Sequence, residues 1–210
     1  MLSRIDDIIY PNRCEVIEIE PSQRYIYPIF KNASGSIKNY AIDQKYKFLL
    51  NKQIHKIKTI DVVLRDPLSR FISGINTYVF NTKRDNPELD LNTIIYFAEN
   101  YLFLNRHYAP QIIWLIHLSK YLNNDTKLYL RGMDAVTEYT PLVHLPPEGK
   151  ILSDKIINRL KTNIHNQVYL KLDNLLLELV DQKLTFKEIL LHIKQQDMVA
   201  YSKLSCIAPD

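Results

Sequence analysis

The chain has 210 residues, 46% hydrophobic and 24% charged, which excludes a disordered chain and supports one packed domain burying roughly 70% of its unfolded surface. Its 27 Lys and Arg against 23 Asp and Glu give a net charge of +4; that suits an anionic ligand but falls short of the dense basic stripe of a nucleic-acid binder. Two cysteines, Cys14 and Cys206, stand far apart in no ligand spacing, so neither a disulfide framework nor a metal site is expected.

Asp6 and Asp7 fall where a secretory leader needs its apolar run, and no apolar stretch approaches the ~18 residues of a membrane span. The expectation is a reduced, cytoplasmic protein. After an irregular or helical lead, Val16-Ile17-Glu18-Ile19 reads as a weak strand. Residues 24–30, rich in aromatic and β-branched side chains, form a better one that ends at a polar turn. A helix is expected from Ser36 to about residue 42, and a short strand over 45–50. Lys52, Lys56 and Lys58 punctuate a segment with no clear period, read as a solvated face, with an anionic acceptor as the sharper alternative. Thr59-Ile60-Asp61-Val62-Val63-Leu64 is the clearest strand, nearly continuous in apolar β-formers as buried parallel strands are.

Helical periodicity follows. Leu68, Phe71, Ile72, Ile75 and Val79 make one apolar face. A polar break over 81–90 leads to a second helix at 92–104, where Tyr96, Phe97 and Tyr101 read as core. A third helix spans 110–122 with Pro110 in its first turn and Trp114 as packing. Lys127-Leu128-Tyr129-Leu130 is another strand, stopped at Arg131-Gly132. After a proline-rich loop over 141–149, Ser153 and Thr185 read as helix N-caps, and Thr185-Phe186-Lys187-Glu188 has capping-box spacing. The tail is Leu-rich and helical, with Asp173 and Glu178 as solvated charges. Strands alternating with helices predict an α/β fold with a parallel sheet flanked by helices and a helical C-terminal part. The four glycines, Gly35, Gly74, Gly132 and Gly149, are each expected at a turn or a close approach.

Two segments carry chemistry. In the run Lys31-Asn32-Ala33-Ser34-Gly35-Ser36-Ile37, small side chains after a strand leave backbone N–H groups accessible at the start of a helix, an arrangement that holds a phosphate-like anion. Lys31 adds a mobile charge, and Ser34 and Ser36 add hydroxyls. The lysine precedes the only glycine, so this is not a Walker A loop. The second segment, Arg65-Asp66-Pro67-Leu68-Ser69-Arg70-Phe71-Ile72-Ser73-Gly74, follows the clearest strand. Arg65 lies at its carboxyl end, where open α/β sheets bind ligands. Ser73 comes two helical turns later, placed to share an anion with Arg65. Arg70 either pairs with Asp66 or reaches the same anion.

Together these segments resemble the nucleotide-binding elements of sulfotransferases that use 3′-phosphoadenosine 5′-phosphosulfate (PAPS). Residues 31–36 are similar to the family's 5′-phosphosulfate loop, with Ser34-Gly35 where Gly-Thr is usual. Arg65 and Ser73 match its 3′-phosphate motif. Asn105-Arg106-His107-Tyr108-Ala109-Pro110-Gln111 is similar to a His-x-x-Pro-Gln segment of the carbohydrate branch. The resemblance covers residues 28–37 and 62–74 closely and the rest faintly. It implies a single P-loop-like domain over 1–210, with a cofactor core at about 20–135 and a helical extension at about 150–205. It also implies PAPS as donor, 3′-phosphoadenosine 5′-phosphate (PAP) as product, and a hydroxylated acceptor, carbohydrate or small molecule, with no nucleic acid. Arg131-Gly132 is the candidate for the family's late basic loop.

Sulfuryl transfer needs a cation at the leaving oxygen, a base for the acceptor hydroxyl and no metal. Lys31 fits the first role. Among the six histidines His107 is the first candidate for the base and His55 the second, followed by the remaining histidines, with Asp or Glu possible; His117, His165 and His192 fall in helices, where surface or packing roles are expected. The other function classes are a non-catalytic nucleotide-binding module that lost its base and, less favoured, a P-loop-type kinase.

Overall fold

The computed structural model describes residues 14–19, 24–93, 96, 106–107, 109–141 and 154–205. Their centre is a six-stranded sheet in the order β3-β1-β2-β4-β5-β6. The strands are β1 (Glu15–Ile19), β2 (Arg24–Tyr27), β3 (Lys47–Leu50), β4 (Thr59–Val63), β5 (Lys127–Arg131) and β6 (Lys183–Thr185). β2, β4 and β5 pair in parallel, whereas β1 is antiparallel to β2 and β3, and β6 is antiparallel to β5. The expected parallel sheet is thus a mixed one with a parallel centre. Chain length explains the left half: residues 20–23 alone join β1 to β2, too few for the crossover that a parallel pair requires. β6, only three residues long, gives no periodic signal.

The helices described from end to end are, in chain order, α1 (Ser34–Asp43), α2 (Pro67–Asp85), α3 (Gln111–Ser119), α4 (Asp154–Thr162), α5 (Ile164–Leu177), α6 (Phe186–Gln196) and α7 (Met198–Ser205). The segment around Lys52 is a 3₁₀ helix, Asn51–Lys56. α2 starts on Asp66, whose carboxylate accepts the Ser69 N–H at 2.8 Å, with Pro67 in the first turn. It runs through the expected break at 81, because Asn81 to Asp85 make a polar outer face and no Gly or Pro intervenes. The Thr185–Glu188 capping box forms as its spacing requires, with Glu188 N–H bonding Thr185 Oγ1 at 3.2 Å and Thr185 N–H bonding Glu188 Oε2 at 2.6 Å. Most of the second expected helix, Phe97 and Tyr101, the loop after Pro141, Ser153, Cys206 and the first thirteen residues lie outside the described residues. Tyr96 is described and is 54% exposed, not core.

Alternate strand residues face opposite ways. Val16, Tyr27, Ile60, Val62, Leu128 and Leu130 pack against Phe71, Ile75 and Val79 of α2, against α3, and against Leu172 and Leu176 of α5 and Ile189 and Ile193 of α6. Ile17, Ile19, Ile26 and Val63 face Ile37 and Ala41 of α1 and the 3₁₀ turn Met133–Glu138. The C-terminal helices therefore share the core of the sheet instead of extending from it. Among the described residues no helix is long and apolar enough to cross a membrane.

Asp173 of α5 is not a solvated charge. It is only 3% exposed and accepts the N–H groups of Gln111 at 2.8 Å and Ile112 at 3.0 Å, capping α3 where Pro110 offers no side-chain acceptor. Burial pushes its carboxyl up to about 6, against the opposing pull of Arg70 and the two N–H groups. Removal of this carboxylate by Asp173→Ala is expected to cost about 3–5 kcal/mol, the range for breaking a buried charge arrangement, read as a lower urea midpoint at unchanged slope. Because the folded-state value lies above the ordinary 3.8, the folded state holds the extra proton between the two. Wild-type stability relative to Asp173→Asn should therefore rise as pH falls from about 6 to about 4. A midpoint indifferent to both changes contradicts the cap.

Candidate functional site

β2 and β4 are neighbours and parallel, yet their following helices leave over opposite faces of the sheet, α1 over one and α2 over the other. The region past the carboxyl ends of two such strands, here called the crevice, is where open α/β sheets bind ligands. The β2–α1 loop and the β4–α2 turn form its walls. Both segments singled out from the sequence therefore meet at one point of the fold.

The loop enters through Lys31 and Ala33, both with left-handed backbone, φ 71° and 58°. For residues bearing a Cβ this costs about 1–2 kcal/mol each. The expectation that glycine marks the special geometry thus fails here; among the described residues no glycine has positive φ. Gly35 instead sits in the first turn of α1, where a Cβ would meet nothing within 4 Å. Gly132 is a genuine close approach, since its Cβ would lie 2.5 Å from Asp134 Oδ1. Ala33 supplies no side-chain cap to α1, so the first-turn N–H groups of this helix lack a capping side chain. Ser34 is buried, Ser36 is half-buried, and Ile37 packs into the core under the helix.

Lys31 reaches across the crevice and donates to Thr77 Oγ1 at 2.5 Å, and that hydroxyl donates to the Ser73 carbonyl at 3.0 Å. The ammonium thus lies one turn beyond Ser73 on α2. Arg65 closes the opposite side, with Nη1 donating to the Lys31 carbonyl at 3.3 Å. Asn32 is buried, and its amide donates to Val63 O at 2.8 Å and to Gln111 Oε1 at 2.6 Å. Gln111 accepts the Arg65 N–H on the same oxygen at 2.9 Å and donates from Nε2 to the Arg65 carbonyl at 3.0 Å. One side-chain amide therefore bridges the β2–α1 loop and the β4–α2 turn, and Asp173 holds its backbone.

Arg70 neither pairs with Asp66, which is occupied as the α2 cap, nor lies open to solvent. It is buried and donates to Phe30 O at 3.2 Å and Ala109 O at 2.6 Å, tying the loop entrance to the start of α3. Its Nη2 is buried without a partner. His107 packs edge-on against the Phe30 ring, centroids 5.0 Å apart, and Phe30 stacks on Trp114. That contact places His107 beside the residue preceding Lys31.

Among the described residues the charges that act on Lys31 are cationic. Burial lowers the Lys31 ammonium below its ordinary range, and the Arg65 and Arg70 charges lower it further. Burial, then Lys31, then Arg106 bring the His107 imidazole down to about 4. Cations that destabilise one another in a partly dry crevice gain from any anion that enters it. Lys31, Arg65 and the first-turn N–H groups of α1 are the donors at this end of the sheet, while Ser73 is buried on α2.

The other candidates lie elsewhere. His55 is exposed on the 3₁₀ helix that delivers the chain to the amino end of β4, so the structure does not bring it to the crevice. His117 is buried with Nδ1 3.2 Å from the Tyr27 hydroxyl. His192 faces Glu178 at 3.3 Å. His144 and the His165 side chain fall outside the described residues. Arg131 is committed to Glu138 and Asp181, within a cluster where Arg24 holds the buried Asp61. Sequence reasoning missed Gln111 and Asp173 as a pair; the signal was a polar residue at the first turn of an otherwise apolar helix and an Asp inside a Leu-rich one.

No family model, no curated protein and no solved structure matches the chain.

Gln111→Leu should leave the Arg65 backbone and the Asn32 amide without their bridge, at roughly 1–3 kcal/mol for each buried group left unpaired. The check is the urea midpoint together with hydrogen exchange of the Arg65 amide. Exchange as slow as in the wild type would show that another group holds the turn.

Proposed function

We propose that the chain is a sulfotransferase that moves the sulfuryl group from PAPS to an acceptor hydroxyl on a glycan or small molecule. The observation that carries this reading is the meeting of two anion-binding segments at one crevice, joined by the Arg65–Lys31 contact and the Gln111 bridge. A donor with a 5′-phosphosulfate and a 3′-phosphate carries two separate anionic groups. Lys31 and the α1 terminus would hold the first, Arg65 and Ser73 the second. Gly35 leaves open space beside the α1 terminus, which supports this reading.

The donor supplies an activated sulfuryl group; the chain supplies charge and a proton acceptor. Lys31 would leave Thr77 Oγ1 to meet the negative charge that grows on the bridging oxygen, favouring the transition state over the ground state. Neutral His107 accepts the proton of the attacking hydroxyl. At about 4 its basicity is low in the free protein. An anion beside Lys31 offsets the charge that lowers it and moves the imidazole back toward its ordinary range. That same low value favours the second reading, a nucleotide-binding module without transfer.

PAP is expected to bind in preference to ATP, and Arg65→Ala should weaken it by about 1.5–3 kcal/mol, the range for hydrogen bonds to charged groups. Calorimetry with nucleotides bearing or lacking the 3′-phosphate is the check; equal affinities contradict the reading.

Lys31→Ala should lower single-turnover transfer more than PAP affinity, and His107→Ala should cost ~10²–10⁴-fold in rate with PAP affinity nearly unchanged. Protonation of the free enzyme silences the base, so the acid limb of kcat/KM should lie near pH 4, where His107 titrates. Tight PAP binding without transfer from PAPS to any hydroxylated acceptor would favour the binding module.

A further inference from the structure

A second concavity, of about 850 Å³, opens at the other end of the parallel strands, beside the amino end of β4. Lys47, Lys52, Lys56 and Lys58 line it, with Tyr25, Glu18 and Gln53. The charge is concentrated here to an unusual degree. Residues 44–58 hold five lysines and no Asp or Glu; without them the chain would carry 22 basic against 23 acidic residues. The net positive charge of the whole chain thus resides in one segment, folded as β3 and the 3₁₀ helix along one wall of a groove. All four lining lysines are exposed. Among the described residues Lys47 alone has a carboxylate near it, Glu18 at 3.8 Å, while none pairs with Lys52, Lys56 or Lys58.

The groove holds more than cations. Glu18 accepts from the Tyr25 hydroxyl at 3.1 Å and keeps acceptor capacity. Gln53 Oε1 is taken by the Leu50 N–H, at 2.9 Å, which leaves its amide N–H groups to donate. Mobile ammonium groups beside a carboxylate and an amide match a chain that carries both negative charges and hydroxyls. A nucleic acid fits poorly: there is no arginine in the lining, one tyrosine whose hydroxyl is engaged, and a carboxylate that repels closely spaced phosphates.

We infer that this lysine groove is a second binding site, for an acidic polysaccharide bearing carboxylate or sulfate groups. It lies the length of β4 away from the crevice, about 16 Å at ~3.3 Å per residue. The inference stands apart from the transfer reaction, since it concerns binding with no donor present.

The test uses a fluorescent oligogalacturonate with the full chain, beside a neutral glucan oligomer and a thymidine oligonucleotide of similar length. The oligogalacturonate is expected to bind, the glucan not, and binding should weaken as salt screens the lysines. A Lys52→Ala/Lys56→Ala/Lys58→Ala variant should lose at least tenfold in affinity at an unchanged melting temperature. Excess PAP should not displace the oligosaccharide. Affinity that survives the triple substitution, displacement by PAP, or an oligonucleotide bound as tightly as the oligogalacturonate would each overturn the assignment.

Discussion

The side-chain amide of Gln111 is buried where three chain segments converge, and its two polar atoms serve all of them. The oxygen accepts from Asn32 in the β2–α1 loop and from the Arg65 N–H, while the nitrogen donates to the Arg65 carbonyl. A buried amide in such a place must be satisfied or it costs more than it contributes. Here satisfaction requires the loop, the turn and the start of α3 to stand in one arrangement. Asp173 then fixes Gln111 from the C-terminal helices through its backbone N–H. The crevice at the sheet end is thereby coupled to α5, far along the chain, and its geometry depends on the packing of the whole core.

That rigidity balances a site under electrostatic and conformational load. Lys31 and Ala33 hold left-handed backbone, and burial together with the Arg65 and Arg70 charges lowers the Lys31 ammonium. Neither feature stabilises the empty fold. Both are sustained because Arg70, Asn32 and Gln111 anchor the surrounding backbone with buried hydrogen bonds. Strain of this kind concentrates where a protein binds or transforms a ligand. An entering anion would relieve the repulsion among Lys31, Arg65 and Arg70, so the load carried by the free protein favours the bound state.

Much of this was legible in the residue pattern. The buried run over 59–64 gave the central strand, because only a strand covered on both faces reads as continuous apolar β-formers. Lys31 to Ser36 and Arg65 stood out through local chemistry that survives folding unchanged, namely small side chains before a helix and a cation at a strand end. The misses have a common cause. Asp173, Arg70 and Gln111 are polar residues whose meaning lies in partners 39 to 79 positions away, and no local period reports a long-range partner. Tyr96 failed in the other sense, since its helical spacing resembled a core position and the fold leaves it exposed. β6 was invisible because three residues pair only with the help of β5.

The central claim is that the loop at Lys31 and the turn at Arg65 form one site for a nucleotide with two separated anionic groups. Side-chain amide resonances of Asn32 and Gln111, followed by NMR during titration with PAP and with adenosine 5′-phosphate, test it most directly. The account expects PAP to shift both amides along with the backbone N–H groups of Ser34 to Ile37 and Arg65. Adenosine 5′-phosphate should move the loop signals while leaving Arg65 almost still. Saturating PAP that leaves Asn32, Gln111 and Arg65 unmoved, or that shifts signals around Lys52 to Lys58 instead, would contradict it.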